Sequence, residues 1–572
     1  MTGVRWGRSA ELHLPGYLAA LLLAVFVYFY GLDSQHIPRN GDEDVYAHIT
    51  RLTAQSGEWL PLRSELDHMR NTKPPLLFWQ GIAATDGGRA WDRWHLRYPS
   101  VLYTLLTAGL LLLLGQRLTG RFSTGATAAL TFLAFFSTYR YGRPFLVNPA
   151  ETFWFFLPFF TLLYWRPASF ESRWLIPVLL GAEIGIGLLY KSFALLAPVG
   201  LTLAWWYLHR RRYQWRAFLL HDGYKLLLIG TLSLSLFALW FVLDPDPQAV
   251  WGEFVLGENA GKFEAHGGSY WAQLLWGGSS VWVLLLGYPM NAGLLAFPVA
   301  ALFVVAWRRR HQLGEAEKLL WLWMAVLFIV FAIPSQRSAR YLLDAMPAVA
   351  LLCALNWHRL PRWTFMATLV ASLLLLALLA WLALGLQEAV SFGYMFWILI
   401  GMTLGLALPG LFKAAWTRGL SNAVALLALL VLAVFLQPFD GAVGRYDAAA
   451  QQSVQGKAVW VPCNFRAQDE DYRFLLPGAE IHGYNESWQL TADELKMRYP
   501  LFALQLPLQE VPCADCKVIG QRLEIRGRHN SEEIKAMLRG DVLPQLFVRE
   551  WLLQAPPFAA TENTEMQKEG CR

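Results

Sequence analysis

In "NGDEDVYAHITRLTAQSGEW" (residues 40–59), Asp42, Glu43 and Asp44 closely follow the first long apolar stretch of the chain. Carboxylates placed there offer a general base with an orienting neighbour, or ligands for a divalent metal. The bland alternative is an acidic loop in water, and acids at a helix start are favoured by the helix dipole anyway. Asp42 and Glu43 are taken as the catalytic candidates, with Asp44 expected to be solvated. Lys73, followed by Pro74 and Pro75, is a compact charge on a restricted backbone. That suits a phosphate contact; an interfacial lysine reaching for water is the alternative.

Further on, "IPSQRSARYLLDAMP" (residues 333–347) sets Arg337, Arg340 and Tyr341 at the mouth of an apolar span, where two cations call for an anionic partner. Asp344 lies at i+4 from Arg340, and a pair between them is the simple explanation for an acid at that depth. In "RPFLVNPAETFW" (residues 143–154), Asn148 and Glu151 share one helical face at i, i+3, and Lys191 sits in a tight turn. The segment "GEFVLGENAGKFEAHGGSYW" (residues 252–271) mixes glycines and acids with Lys262, His266 and four aromatic residues. That mixture suits a loop folding over a site.

The elements that must carry these groups are set by composition. Of 572 residues, 55% are hydrophobic and 16% charged, with 27 Trp; mean hydropathy is +0.33. A soluble fold would have too many such side chains to bury, so the chain reads as a polytopic α-helical membrane protein. Apolar spans fall near 14–33, 97–116, 122–139, 144–165, 173–190, 192–208, 224–243, 280–306, 318–334, 340–357, 363–386, 390–412 and 420–437, about thirteen by the usual length of a crossing. The first is too long for a signal segment and reads as a retained helix. The net charge of +6 comes from short loops such as "HRRRYQWR" (209–216) and "WRRRHQ" (307–312). It therefore points to membrane orientation and away from nucleic acid.

With those loops inside, the N-terminus is inside and three polar segments lie outside: 34–96, 244–279 and everything after 437. Residues 1–437 form the membrane domain. Residues 34–96 carry interfacial helices: Val45, Ile49 and Leu52 recur at helical spacing before Gly57, and Pro74 and Pro75 open a second apolar helix. Residues 438–572 alternate short apolar runs with a charged helix candidate starting at Ser531, which reads as a small α/β domain. Cys463, Cys513, Cys516 and Cys571 fall in this tail, where an oxidising compartment favours a disulfide, the pairing being open; Cys353 reads as a buried thiol. No P-loop and no dinucleotide fingerprint occurs, so any sugar donor is expected to be a lipid.

The strings "GDEDVYAHITRLTAQSGEWLPL", "KPPLLFWQGI", "RYPSVLYTLL", "GLLYKSFALLAPV", "EFVLGENAGKFEAH" and "PSQRSARYLLDAMPAVALL" together resemble bacterial GT-C glycosyltransferases. The family is that of the lipid A aminoarabinose transferases and the protein O-mannosyltransferases, and the likeness covers roughly residues 14–355. The resemblance implies an inverting enzyme of the bacterial inner membrane. It would move a sugar from a polyprenyl-phosphate donor to a periplasmic acceptor, lipid A or another envelope glycan. By residue matching, Asp42 would be the catalytic carboxylate, acting as general base on the acceptor hydroxyl or orienting it, and Lys73, Lys262 and Tyr341 would hold the departing lipid phosphate, with Arg337 and Arg340 beside them. Asn148, Glu151, His266 and Lys191 are the candidates for a second acid or the acceptor site.

Two departures from the family pattern stand out. Asn148 replaces an Asp frequent before Pro in the fourth span, and Thr72 stands where the aminoarabinose transferases have Glu before Lys-Pro-Pro. Lys262 occupies an Arg position. No cofactor is called for, a divalent metal being left open; membrane lipids are the remaining partners. The alternatives are a protein O-mannosyltransferase, and a transporter or flippase of lipid-linked sugar. The latter would place charges deep in several spans or show two similar halves.

Overall fold

The computed structural model describes residues 13–39, 41–66, 69–260, 270–441, 443–526 and 529–556. Lys262, His266 and Cys571 lie outside the described residues.

The chain is a multi-pass membrane protein built of packed helices, with a small sheet domain at its C-terminal end. Among the described residues, six helical stretches, some of them broken, are long and apolar enough to cross a membrane: Arg93–Thr119, Gly223–Leu243, Tyr270–Arg308, Arg362–Gly385, Tyr394–Phe412 and Ala414–Asp440. Shorter apolar helices, among them Leu14–Phe29 and Leu175–Tyr190, pack with them. Large apolar side chains on their outer faces, such as Leu22 (72% exposed) and Val242 (77%), are the surface that hydrocarbon covers.

The elements that position the acids come first in the chain. Helix α1 (Leu14–Phe29) starts at a proline-bearing first turn and leads to α2 (Asp42–Gln55), whose three acids occupy its own first turn. The buried face of α2 carries Val45, Tyr46 and Ile49, as the spacing predicts. Helix α3 (Leu76–Ala84) follows Pro74-Pro75 and lies against α2. Gly81 makes this contact close: a Cβ there would stand 2.8 Å from both Thr50 and Phe145. Helix α4 (Arg93–Thr119) opens on Asp92, whose carboxylate accepts from the His95 backbone N–H at 2.8 Å.

Three expected spans are interrupted. Residues 122–142 form α5 (Phe122–Ala134) and α6 (Phe136–Gly142), separated by an extended Phe135. Gly293 packs against this break: its φ is +59°, and a Cβ there would stand 2.4 Å from the Phe136 Cβ. The same glycine divides the expected 280–306 span into Val281–Ala292 and Ala296–Arg308. Span 340–357 begins as a 3-10 turn, Ala339–Ala345, before the α-helix Met346–Leu355. Helix α7 (Asn148–Tyr164) starts at Asn148-Pro149 as a proline-led first turn.

The C-terminal sheet has the order β2-β1-β3-β5-β4, with β1 Ala458–Cys463, β2 Glu480–Asn485, β3 Leu501–Pro507, β4 Lys517–Ile525 and β5 Phe547–Gln554. Strand β1 runs parallel to β2 and β3, and β5 runs antiparallel to β3 and β4. The fully buried Glu550 is satisfied by Arg522, Gln505 and the hydroxyls of Tyr446 and Tyr472. Cys513 and Cys516 are joined by a disulfide. The charged helix forms over Ser531–Leu538, but Asn530 caps it instead of Ser531: the Asn530 side chain accepts from the Glu533 backbone N–H at 2.9 Å.

This domain docks on α2. The short helix Glu470–Leu475 presents Glu470 to His48 (2.8 Å) and to the Arg51 guanidinium (Nε at 3.0 and 3.1 Å). Asp471 accepts from Arg39 and Arg93 at 2.5 and 2.9 Å. Phe474 stacks on Trp91 and lies under the Arg93 guanidinium. Burial disfavours the charge on Glu470, but His48 and Arg51 outweigh it and hold the carboxyl down to about 2. A depressed carboxylate adds stability above its ordinary value of 4.5, and that stability is lost as pH falls towards about 2. Thermal melts of the solubilised protein should therefore drop over that acid window. Glu470→Gln should melt lower at neutral pH and show less of the acid drop; an unchanged profile would contradict this.

Candidate functional site

Asp42 opens α2 and keeps 42% of its side chain exposed. Its Oδ2 accepts from Arg340 Nη1 at 2.6 Å, across 298 residues of sequence. The same guanidinium donates to Asn148 Oδ1 from Nε (3.1 Å) and Nη2 (2.9 Å). Asn148 Nδ2 in turn donates to Glu151 Oε2 at 3.1 Å, and Lys191 Nζ donates to that same oxygen at 2.7 Å. Asp42, Arg340, Asn148, Glu151 and Lys191 are thus one continuous chain of charge-assisted hydrogen bonds, drawn from four separate segments.

Beside Glu151 and Lys191 opens a cavity of about 520 Å³. Its polar end holds Glu151, Lys191, Ser192 and Tyr341; its walls are apolar, with Phe193, Val255, Val330 and Phe331 among them. Tyr341 stacks on Phe331 at 5.1 Å and lies within electrostatic reach of Lys191, Glu258, Arg340 and Asp42. Lys73 Nζ donates to Glu258 Oε1 at 2.6 Å and to the Thr72 carbonyl at 2.7 Å. Glu258 belongs to a π-helix, Val250–Asn259, that also supplies Asn259, whose side-chain oxygen accepts from Ser192 Oγ at 2.7 Å. A π-helix of this length is a local departure from α geometry of the kind found at functional sites.

The remaining sequence candidates sit elsewhere or act differently. Glu43 is buried, and both its oxygens are taken: Arg97 donates at 2.7 and 2.9 Å and the Phe145 backbone N–H at 2.8 Å. Burial works against its charge, yet Arg97 and Arg39 hold the carboxyl below the usual range. Glu43 therefore fixes α2 to α4 and does not share the exposed site with Asp42. Asp44 is covered, contrary to the expectation of a solvated acid: it pairs with Arg39, which also holds Asp471. Burial, with the Asp471 and Glu43 charges, pushes it up to about 8 against the pull of Arg39. Arg337, expected beside the lipid phosphate, is occupied elsewhere: its guanidinium donates to the carbonyls of Ala332 (2.7 Å) and Ser279 (3.0 Å) and staples two loops. Arg340 turns to Asp42 and Asn148, while Asp344 lies on Thr152 (3.3 Å) instead of pairing at i+4.

Among the described residues, two clusters have the composition of metal sites, and neither fits one. In the group His48, Asp469, Glu470, His48 Nδ1 meets Glu470 and Nε2 accepts from the Glu65 backbone N–H at 3.1 Å, which leaves no ring nitrogen for an ion. The sulfurs of Cys513 and Cys516 are bonded to each other.

Sequence reasoning missed Glu258 and Asn259 as individual residues, although the segment holding them was singled out. It also missed Arg97 and Arg143. Both are buried arginines at the ends of apolar runs, and a charge there is itself a signal. Arg143 ties the end of α1 in place, donating to the Tyr28 carbonyl at 3.1 Å and the Tyr139 hydroxyl at 2.6 Å.

Residues 40–249 match the family model described as dolichyl-phosphate-mannose-protein mannosyltransferase. The chain is similar to undecaprenyl phosphate-alpha-4-amino-4-deoxy-L-arabinose arabinosyl transferase 2 of Proteus mirabilis (strain HI4320), with 26% identity over 352 residues and 59% of each chain covered. It is 28% identical over 344 residues to the protein of the same description from Pseudomonas fluorescens (strain Pf0-1), with 58% of each covered. The chain thus matches about three fifths of the length of each relative. Its fold is that of ArnT from Cupriavidus metallidurans in the crystal structure bound to undecaprenyl phosphate. The TM-score is 0.60 and the identity 18%, and the match covers 96% of this chain and 100% of that one.

Proposed function

We propose that this chain, similar over residues 40–249 to the protein mannosyltransferase model and over about three fifths of its length to the aminoarabinose transferases, is an inverting GT-C glycosyltransferase using a polyprenyl-phosphate-linked sugar. One observation carries this reading. An exposed carboxylate, Asp42, is joined through Arg340, Asn148 and Glu151 to Lys191, at the polar end of an apolar-walled cavity. A phosphate esterified to an isoprenoid needs both halves of that arrangement: cations at one end and an apolar wall beyond them. The printed ligand of the Cupriavidus protein, undecaprenyl phosphate, has this chemistry.

In the reaction, the acceptor hydroxyl attacks the anomeric carbon from the face opposite the phosphate. Asp42 takes the hydroxyl proton. The bond from the anomeric carbon to the phosphate oxygen breaks, and the electron pair leaves on the lipid phosphate. Lys73, Lys191 and Arg340 stabilise that charge, with Tyr341 beside them at the cavity. Holding donor and acceptor in line supplies much of the rate. The acceptor in this reading is lipid A or another envelope glycan, as the sequence resemblance implies; the names of the relatives give the donor, an undecaprenyl phosphate carrying aminoarabinose. The site then faces the periplasm from the bacterial inner membrane. The bias of Lys and Arg towards the opposite loops and the Cys513–Cys516 disulfide support that side. No step passes through a metal, and chelator treatment of the purified protein reads whether one contributes.

The test is donor binding. Lys73→Ala and Lys191→Met should each weaken the affinity for polyprenyl phosphate about 10- to 100-fold, the usual range for a charge-assisted hydrogen bond. Wild-type affinity in both variants would refute the phosphate site.

A further inference from the structure

The docking of the C-terminal domain bears directly on Asp42. Two anchors hold the first turns of α2. From the membrane side, Arg97 and the Phe145 backbone N–H take both oxygens of Glu43. From the C-terminal domain, Glu470 takes His48 and Arg51, one and two turns further along the same helix, and its side chain is 1% exposed. Asp471 takes Arg39, immediately before the helix, and Arg39 passes the contact on to Glu43 and Asp44. Even the residue preceding Asp42 is packed by this domain: a Cβ on Gly41 would stand 3.2 Å from Arg466 Cδ. Ala467 and Phe474 join the apolar cluster of Val45, Tyr46 and Ile49 beneath α2.

A surface contact between domains would be expected to be wet and weakly paired. Here the ions are buried: Glu470 meets both His48 and Arg51 of α2, and Asp471 is shared between Arg39 and Arg93 of two segments. A buried pair of this kind adds little net stability but tolerates only one geometry. Its yield is position, and the helix it positions carries the candidate base at its first residue.

We propose that the C-terminal α/β domain sets the catalytic geometry, with Glu470 and Asp471 as positioning residues that hold α2 so that Asp42 meets both Arg340 and the acceptor. The inference rests on the reading of Asp42 as general base. It assigns the domain a part in turnover and none in donor binding, since no described residue of the domain lines the cavity at Lys191 and Tyr341.

The experiment compares full-length Glu470→Gln and Asp471→Asn with wild type in proteoliposomes. Both changes keep side-chain shape and remove one charge. The expected result is a kcat lowered about 10- to 100-fold, the cost of a small misplacement of a reacting group. The KM and Kd for polyprenyl-phosphate sugar should stay within about twofold. Amide hydrogen exchange over residues 42–55 should rise while that of Arg93–Thr119 stays as in wild type. Glu470→Asp, which keeps the charge, should recover part of the kcat. Unchanged kcat in both variants, or unchanged exchange over residues 42–55, overturns the proposal. A parallel fall in kcat and donor affinity also overturns it, because it marks general loss of structure. Failure of the enzymatic reading appears separately, as absence of transfer by wild type, and the exchange measurement reads the clamp without turnover.

Discussion

Asp42→Asn is expected to bind the donor lipid as wild type does and to lose transfer by roughly 10²- to 10⁴-fold, the usual worth of a positioned general base. Of the acids Asp42, Glu43 and Glu151, Asp42 is the one with the required freedom. Its Oδ2 is held by Arg340, and its Oδ1 has no hydrogen bond among the described residues. Glu43 has both oxygens occupied by Arg97 and the Phe145 backbone. Glu151 is buried and shared by Lys191 and Asn148. Asparagine keeps the shape of the side chain and an oxygen for Arg340, so folding and donor binding survive while proton acceptance does not. Single-turnover kinetics with purified protein give the rate, and a binding titration with polyprenyl phosphate gives the affinity. Turnover within tenfold of wild type would move the base to another residue.

The second large effect concerns stability. Arg97→Met is expected to cost about 3–5 kcal/mol, because it leaves the buried Glu43 carboxylate without its main partner. Arg97 also donates to the carbonyls of Leu32 (2.9 Å) and Ser34, so the link from α1 to α2 loosens as well. The double variant Glu43→Leu/Arg97→Met should regain much of the loss, since an apolar pair in place of a buried ion pair is often neutral. It should not regain all of it, because those two carbonyls remain unpaired. Thermal melts in detergent read both variants. A single variant as stable as wild type would show that the pair is solvated in the membrane.

The local parts of this arrangement were legible in the sequence. Helix α2 followed from the spacing of Val45 and Ile49 and from Gly57. The face shared by Asn148 and Glu151 followed from i, i+3 spacing, and Lys191, Arg340 and Lys73 stood out as charges beside apolar runs. The pairings were not legible, for physical reasons. Arg340 and Asp344 were expected to meet at i+4, a rule of the α-helix; residues 339–345 form a 3-10 helix, with three residues per turn, and those positions no longer share a face. Arg340 is instead free to reach Asp42, and a single chain carries no signal for a contact 298 residues apart. Asp44 was expected in water because its neighbours are polar. It is covered by Arg39, which pairs with Asp471, 432 residues further on than Arg39, and local composition has no view of what folds over it.

The central claim is that this protein transfers a sugar from a polyprenyl phosphate to an envelope acceptor through Asp42. Mass spectrometry of envelope glycolipids tests it most directly, in cells lacking the gene and complemented with wild type or with Asp42→Asn. The account predicts a glycolipid heavier by one sugar residue in wild-type cells, absent from both the deletion and the Asp42→Asn strain. Identical glycolipid spectra in all three strains, or full modification with Asp42→Asn, would contradict it.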